Sequence, residues 1–125
     1  MTNTMHLSAG QQRDLERYQT DRVLTAPPEV LVLMMLERVV NDLDAAIEAE
    51  IDLDRGMLIR HAQDIVIELR CSLDLTQGEI AENLDSLYAY VDRQCLESFV
   101  NKTRSPLRPA RQVMRNVLEG WRAIL

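Results

Sequence analysis

The sequence predicts an all-α protein: an antiparallel up-down four-helix bundle with an N-terminal arm and cap segment. Three observations predict it. Apolar residues recur at spacings of three and four over four long stretches, and no stretch alternates with period two. Glycine and proline are scarce, four of each, and sit at a few places, so long helices are uninterrupted. The connections between the stretches are short, which makes neighbouring helices antiparallel. A chain of 125 residues, 46% of them hydrophobic, can fold as one domain with a modest core and is not disordered throughout.

Residues 1–17 are polar and mixed in charge and read as a mobile arm. Residues 18–125 read as the bundle domain, opening with a cap segment over 18–28 in which Tyr18, Val23 and Leu24 can anchor. Thr25-Ala26-Pro27-Pro28-Glu29 marks the first helix start, since proline suits a first turn and Glu29 suits the positive end of the dipole. The run Val30 to Leu36 then covers the whole helix circumference, so this half-helix needs cover on its outer side, and the 18–24 segment is the nearest candidate. Beyond Glu37 the pattern narrows to Val39, Val40, Leu43, Ala46 and Ile47, and the helix should end near Ile51.

Asp52 or Asp54 can cap the second helix, whose stripe is Leu58, Ala62, Ile65, Leu69 and Ser72, with Met57, Ile59, Val66 and Ile67 in surplus. Asp74 and Leu75 form the next connection, with Leu75 tucked inward. The third helix starts at a capping box, Thr76 with Glu79, and runs to about Thr103. One of its stripes is Ile80, Leu84, Leu87, Val91 and Cys95, and a second set of Ala81, Tyr88 and Phe99, with Tyr90 beyond, lies off it. A helix that hides one stripe in its own protein has no use for a second, so the surplus points to a partner. Ser105-Pro106 reads as an N-cap with proline at the first position of the fourth helix. That helix carries Ala110, Val113, Met114, Val117, Leu118 and Trp121. Gly120 inside it would let a neighbouring chain approach closely.

Charge and chemistry exclude several function classes. The net charge of −6 argues against nucleic acid as the main partner. Acids dominate from Glu29 to Asp54 and bases from Lys102 onward, which fits either complementary neighbouring helices or a docking face for an acidic partner. The opening residues lack a basic start and an apolar run, and no apolar stretch approaches the ~20 residues of a membrane span, so a cytoplasmic chain with both cysteines reduced is expected. His61 reads as a core-edge histidine, and neither Cys71 nor Cys95 has ligand spacing with it. Neither histidine follows a glutamate by three residues, as di-iron bundles need, and no nucleophile has a base nearby in sequence. No enzyme, cofactor or metal is expected.

With the helices placed, several strings resemble a known family. Tyr18-Gln19, Val23, Thr25-Ala26, Pro28, Leu31 and Leu33-Met34 look like the opening of the FliS flagellin export chaperones. Ala62-Gln63-Asp64-Ile65, Glu68-Leu69 and Ser72-Leu73-Asp74 fit as well. The best match is Gly78 to Leu84 running into Leu87-Tyr88 and Tyr90, and Trp121 also fits. The resemblance covers about Tyr18 to Trp121. It implies a cytosolic helical chaperone without catalytic activity. Such a chaperone binds the disordered C-terminal region of flagellin, prevents premature polymerisation and helps present the subunit at the export gate. A link to the export-gate membrane subunit would run through the flagellin complex, with no membrane insertion and a monomer or weak homodimer as the resting state.

The surplus apolar surface agrees with helix-in-groove docking of such a client. The expected groove and cap residues are Tyr18, Val23, Leu24, Leu31, Met34, Met35, Ile65, Ile80, Asn83, Leu84, Leu87, Tyr88 and Val91. The rival reading from the same surplus is a self-associating helical-bundle adaptor.

Overall fold

The computed structural model describes residues 8–14 and 28–125. The chain divides into two units, Met1–Leu31 and Val32–Leu125. In the first, residues 9–14 are helical. Their start is closed reciprocally: the Ser8 amide donates to Gln11 Oε1 at 2.9 Å, and the Gln11 amide donates to Ser8 Oγ at 3.1 Å. Tyr18, Val23 and Leu24, and most of the expected cap segment, lie outside the described residues.

Four long helices follow: α1 (Pro28–Glu48), α2 (Asp52–Cys71), α3 (Glu79–Asn101) and α4 (Leu107–Ile124). A short 3-10 turn, Leu75–Gln77, lies between α2 and α3. Among the described residues there is no strand. Cross-helix bonds give the order round the bundle of the second unit. Arg70 reaches Asp85, and Gln63 reaches Asp92, so partner numbers fall on α3 as they rise on α2. Arg115 reaches Asp44, and Arg122 reaches Glu37, with the same reversal between α4 and α1. His61 of α2 bonds to Asp42 of α1. These are the relations of an antiparallel up-down bundle.

One core joins all four helices. It contains Leu36, Val39, Leu43 and Ala46 of α1, Ile59, Ala62, Val66 and Leu69 of α2, Tyr88, Val91 and Cys95 of α3, and Leu107, Ala110, Met114 and Leu118 of α4. Each large aliphatic among them contributes roughly 1.5–3 kcal/mol through the apolar surface it removes from water. The α1 stripe is the one the spacing predicts; of the predicted α4 stripe, Ala110, Met114 and Leu118 are buried, while Val113, Val117 and Trp121 are only partly buried beside the core.

The α2 stripe is different. Ile59 and Val66, expected as surplus, are core, while Leu58 and Ile65 are half-buried against it. The two possible stripes share Ala62 and Leu69, so spacing alone does not separate them; the packing of the neighbouring helices does. Met57 and Ile67 are exposed, as the surplus reading requires.

The helix ends also differ. α1 stops at Glu48, short of Ile51. The Ala49 carbonyl just beyond accepts from Arg55 Nη2 at 2.6 Å and Arg104 Nη2 at 2.9 Å. Two guanidiniums, one from the first turn of α2 and one from the α3–α4 connection, thus close the negative end of α1, where the dipole favours cations. Arg55 is buried there and also pairs with Asp52 at 2.9 Å.

Thr76 and Glu79 do not form a capping box. Instead Thr76 donates its amide (3.0 Å) and its hydroxyl (2.5 Å) to Asp74 Oδ1, and α3 starts behind Gly78 at φ 84°. That turn leaves Leu75 exposed, not tucked inward. α3 ends at Asn101, where Lys102 adopts a left-handed conformation. Ser98 braces this corner by donating its hydroxyl to the Thr103 carbonyl at 2.5 Å. α4 opens on a turn in which the Leu107 amide donates to the Arg104 carbonyl, so Ser105 is not its cap.

Candidate functional site

The apolar pattern of α3 divides along its length. In the second half Val91, Cys95 and Ser98 face inward and are buried. In the first half the inward positions are Ala81 and Tyr88, and Ile80 and Leu87 face the cleft toward α4. Ile80 is 76% exposed. The expected stripe from Ile80 to Cys95 is therefore half groove and half core.

Two adjoining depressions make the groove. One of about 400 Å³ lies between α3 and α4, lined by Ile80, Leu84 and Leu87 on one side and Val113, Val117 and Ile124 on the other. A second of about 340 Å³ reaches Val32, Leu69 and Leu73 at the same end of the bundle, with Tyr88 in its wall. Ile80, Leu84 and Trp121 belong to both, so the surface is continuous. Gly120 lies in the α4 wall, and no atom stands within 4 Å of where its Cβ would be. The polar edge is Asp74, Gln77 and Asn116.

The electrostatics of this groove are quiet. Tyr88 is buried, and that burial pushes its phenol above the ordinary value. Asp74 is held below the ordinary carboxylate range by the Thr76 and Gln77 side chains and the Thr76 amide. Among the described residues no group of His, Cys, Asp and Glu side chains could hold a metal ion. An apolar trough with a thin polar edge binds apolar side chains; it does not assemble converging acids, bases and nucleophiles.

Of the residues expected at the groove, the structure brings Ile80, Leu84, Leu87 and Tyr88 together. Val91 is fully buried and is core, not lining. Asn83 is exposed away from the groove, and Ile65 packs against the core from α2. Met34 and Met35 are half-buried on α1 and line neither depression, and Leu31 falls in the first unit. The α4 wall of Val113, Val117, Trp121 and Ile124 is not among the residues expected at the groove. Its signal was present: α4 carries two adjacent apolar rows, with Leu107, Ala110, Met114 and Leu118 in the core and Val113, Val117, Trp121 and Ile124 beside them.

The model of the flagellar protein FliS matches residues 11–125. The chain belongs to the FliS family. It is 26% identical to the flagellar secretion chaperone FliS of Escherichia coli K12, over 97% of this chain and 93% of that one. It is 32% identical to the flagellar secretion chaperone FliSB of Pseudomonas aeruginosa PAO1, over 82% and 85% of the two chains. With FliS of Salmonella typhimurium the identity is 26% over 82% of this chain and 79% of the relative. FliS proteins are chaperones and not enzymes, and the membership supports a role in flagellar export. Among the described residues of this FliS-family chain no helix is long and apolar enough to cross a membrane.

Proposed function

We propose that this chain is a cytoplasmic export chaperone for flagellin, and that the α3–α4 groove receives the apolar C-terminal region of that client. The observation that carries the reading is the unbroken apolar surface through Ile80, Leu84 and Trp121 in a member of a secretion-chaperone family. A subunit that becomes helical only in its polymer exposes apolar repeats beforehand. Covering them blocks early polymerisation, and delivery to the export gate then exchanges one partner for another without nucleotide. Helix-in-groove docking fits both walls, because α3 and α4 present parallel rows spaced along a helix axis. Ordering the client offsets part of the binding energy, so the complex is tight but reversible.

Purified flagellin should co-elute with the chain on size exclusion. Deleting the flagellin C-terminus, or introducing Leu84→Asp in the groove, should abolish co-elution while the circular dichroism melt stays cooperative. Undiminished co-elution of the truncated flagellin would overturn the reading. A self-associating adaptor predicts instead an obligate dimer that ignores flagellin, which sedimentation distinguishes.

A further inference from the structure

At the other end of the bundle, the seam between α2 and α3 changes character. From Gln63 to Arg70 it is bridged by polar pairs, Gln63 with Asp92 and Arg70 with Asp85. From Leu53 to Arg60 no such pair crosses it, and a cleft of about 420 Å³ opens between the start of α2 and the end of α3. Phe99 lies against α2 at Gly56, where an added Cβ would meet the ring at 3.2 Å. Beside it Leu53 and Met57 are 72% and 64% exposed, and Leu96 and Val100 extend the apolar surface along α3. An apolar patch of this extent with a polar rim marks an interaction site on a soluble domain.

Charge selects the occupant. Asp52, the carboxylate that lines the cleft, is held by Arg55 at 2.9 Å. Arg60 stands over the Phe99 ring, 5.9 Å from its centre, and Lys102 also lines the cleft. Among the described residues neither cation reaches a carboxylate. Arg111, Arg115 and Arg122 pair with α1, and Arg104 holds the Ala49 carbonyl. In a chain of net charge −6, two unneutralised cations flanking an apolar floor fit a ligand with apolar side chains on one face and carboxylates beside them. A two-fold pairing of the cleft with itself would instead bring the same cations to both sides.

We propose that this cleft docks an acidic amphipathic helix of a partner protein, at a site separate from the α3–α4 groove. Phe99 is fifteen residues beyond Leu84 on one helix, roughly 22 Å along its axis. The two surfaces can be occupied together, and this proposal does not rest on the flagellin reading.

The test uses the full chain and a designed, fluorescein-labelled 18-residue helical peptide with Leu and Met at i, i+3, i+4 and i+7 flanked by Glu. A counterpart carries Lys at every Glu position. By anisotropy, the acidic peptide should bind at least tenfold tighter than the basic one. Met57→Glu, and separately Arg60→Glu with Lys102→Glu, should each weaken it at least tenfold, whereas Leu84→Asp should leave it within twofold. The Met57, Arg60 and Lys102 side chains are exposed, so their variants should melt as the parent does. Absence of binding, equal binding of both peptides, indifference to Met57→Glu, or loss in Leu84→Asp would overturn the proposal. So would a homodimer that Met57→Glu dissolves, which would assign the cleft to a second copy.

Discussion

The two cysteines show how far one residue type is divided by its surroundings. Cys71 is exposed at the end of α2, and Cys95 is buried in the core. Burial, aided by the charge of Asp92, pushes the Cys95 thiol from an ordinary 9 up to about 12. A native-state maleimide reaction at neutral pH should therefore label one thiol within minutes and the second only in denaturant; rapid double labelling would contradict the burial of Cys95. The same shift has a sign in stability. The folded thiol keeps its proton to higher pH than the unfolded one, so its contribution is full below pH 9 and is lost as pH rises toward 12. Tyr88, also raised by burial, adds in the same direction. Urea midpoints should fall between pH 9 and 12, and Cys95→Ala should flatten that fall while lowering the midpoint at pH 7.

At the scale of one helix, α4 carries two jobs on adjacent rows. Met114 is fully buried, so Met114→Ala should cost about 2–5 kcal/mol through lost burial and an unfilled cavity. Gly120 is different: it sits inside α4 with open space around its Cβ position. Gly120→Ala should stabilise the free chain by about 0.5–1 kcal/mol, because alanine loses less backbone entropy in a helix. On the proposed function, where the client backbone seats at this position, the added methyl should also weaken co-elution with flagellin. A calorimetric melt and a co-elution assay on the same variant read the two effects separately. The boundaries of these helices were less legible than their faces. The end of α1 depends on Arg55 and Arg104 converging on one carbonyl, and the start of α3 depends on Asp74 outcompeting Glu79 for the Thr76 turn. Both are contests between side chains that spacing does not rank.

For the whole molecule, the uneven charge of the sequence resolves mainly into contacts between α1 and α4. Asp44 meets Arg111 and Arg115, and Glu37 meets Arg122. These pairs are exposed or partly exposed, each worth at most about 1 kcal/mol, so 1 M salt should move the melting temperature by only a few degrees. A large salt-induced loss would mean that electrostatics, and not the shared core, hold α1 in place. The apolar surplus does not cancel in this way. It gathers at two ends, around Leu84 with Trp121 and around Met57 with Phe99. Met57→Glu at an exposed position should therefore leave the fold intact, Leu84→Asp should keep a cooperative melt, and on the two proposals above they should act on different partners, which paired binding assays on both variants would check.

The sequence by itself determined four helices, their order and the core face of α1, because helical periodicity is local, and its residue strings carried the resemblance to a chaperone family that the family match bears out. It also determined that apolar surface was left over. Only the tertiary structure decided where. Leu58 and Ile59, or Ile65 and Val66, are both apolar and adjacent in sequence, and which of each pair is buried depends on where the neighbouring helices stand. The groove wall on α4 has the same origin. Val117 and Leu118 are neighbours in sequence, and only packing against α1, α2 and α3 makes one of them core and the other lining.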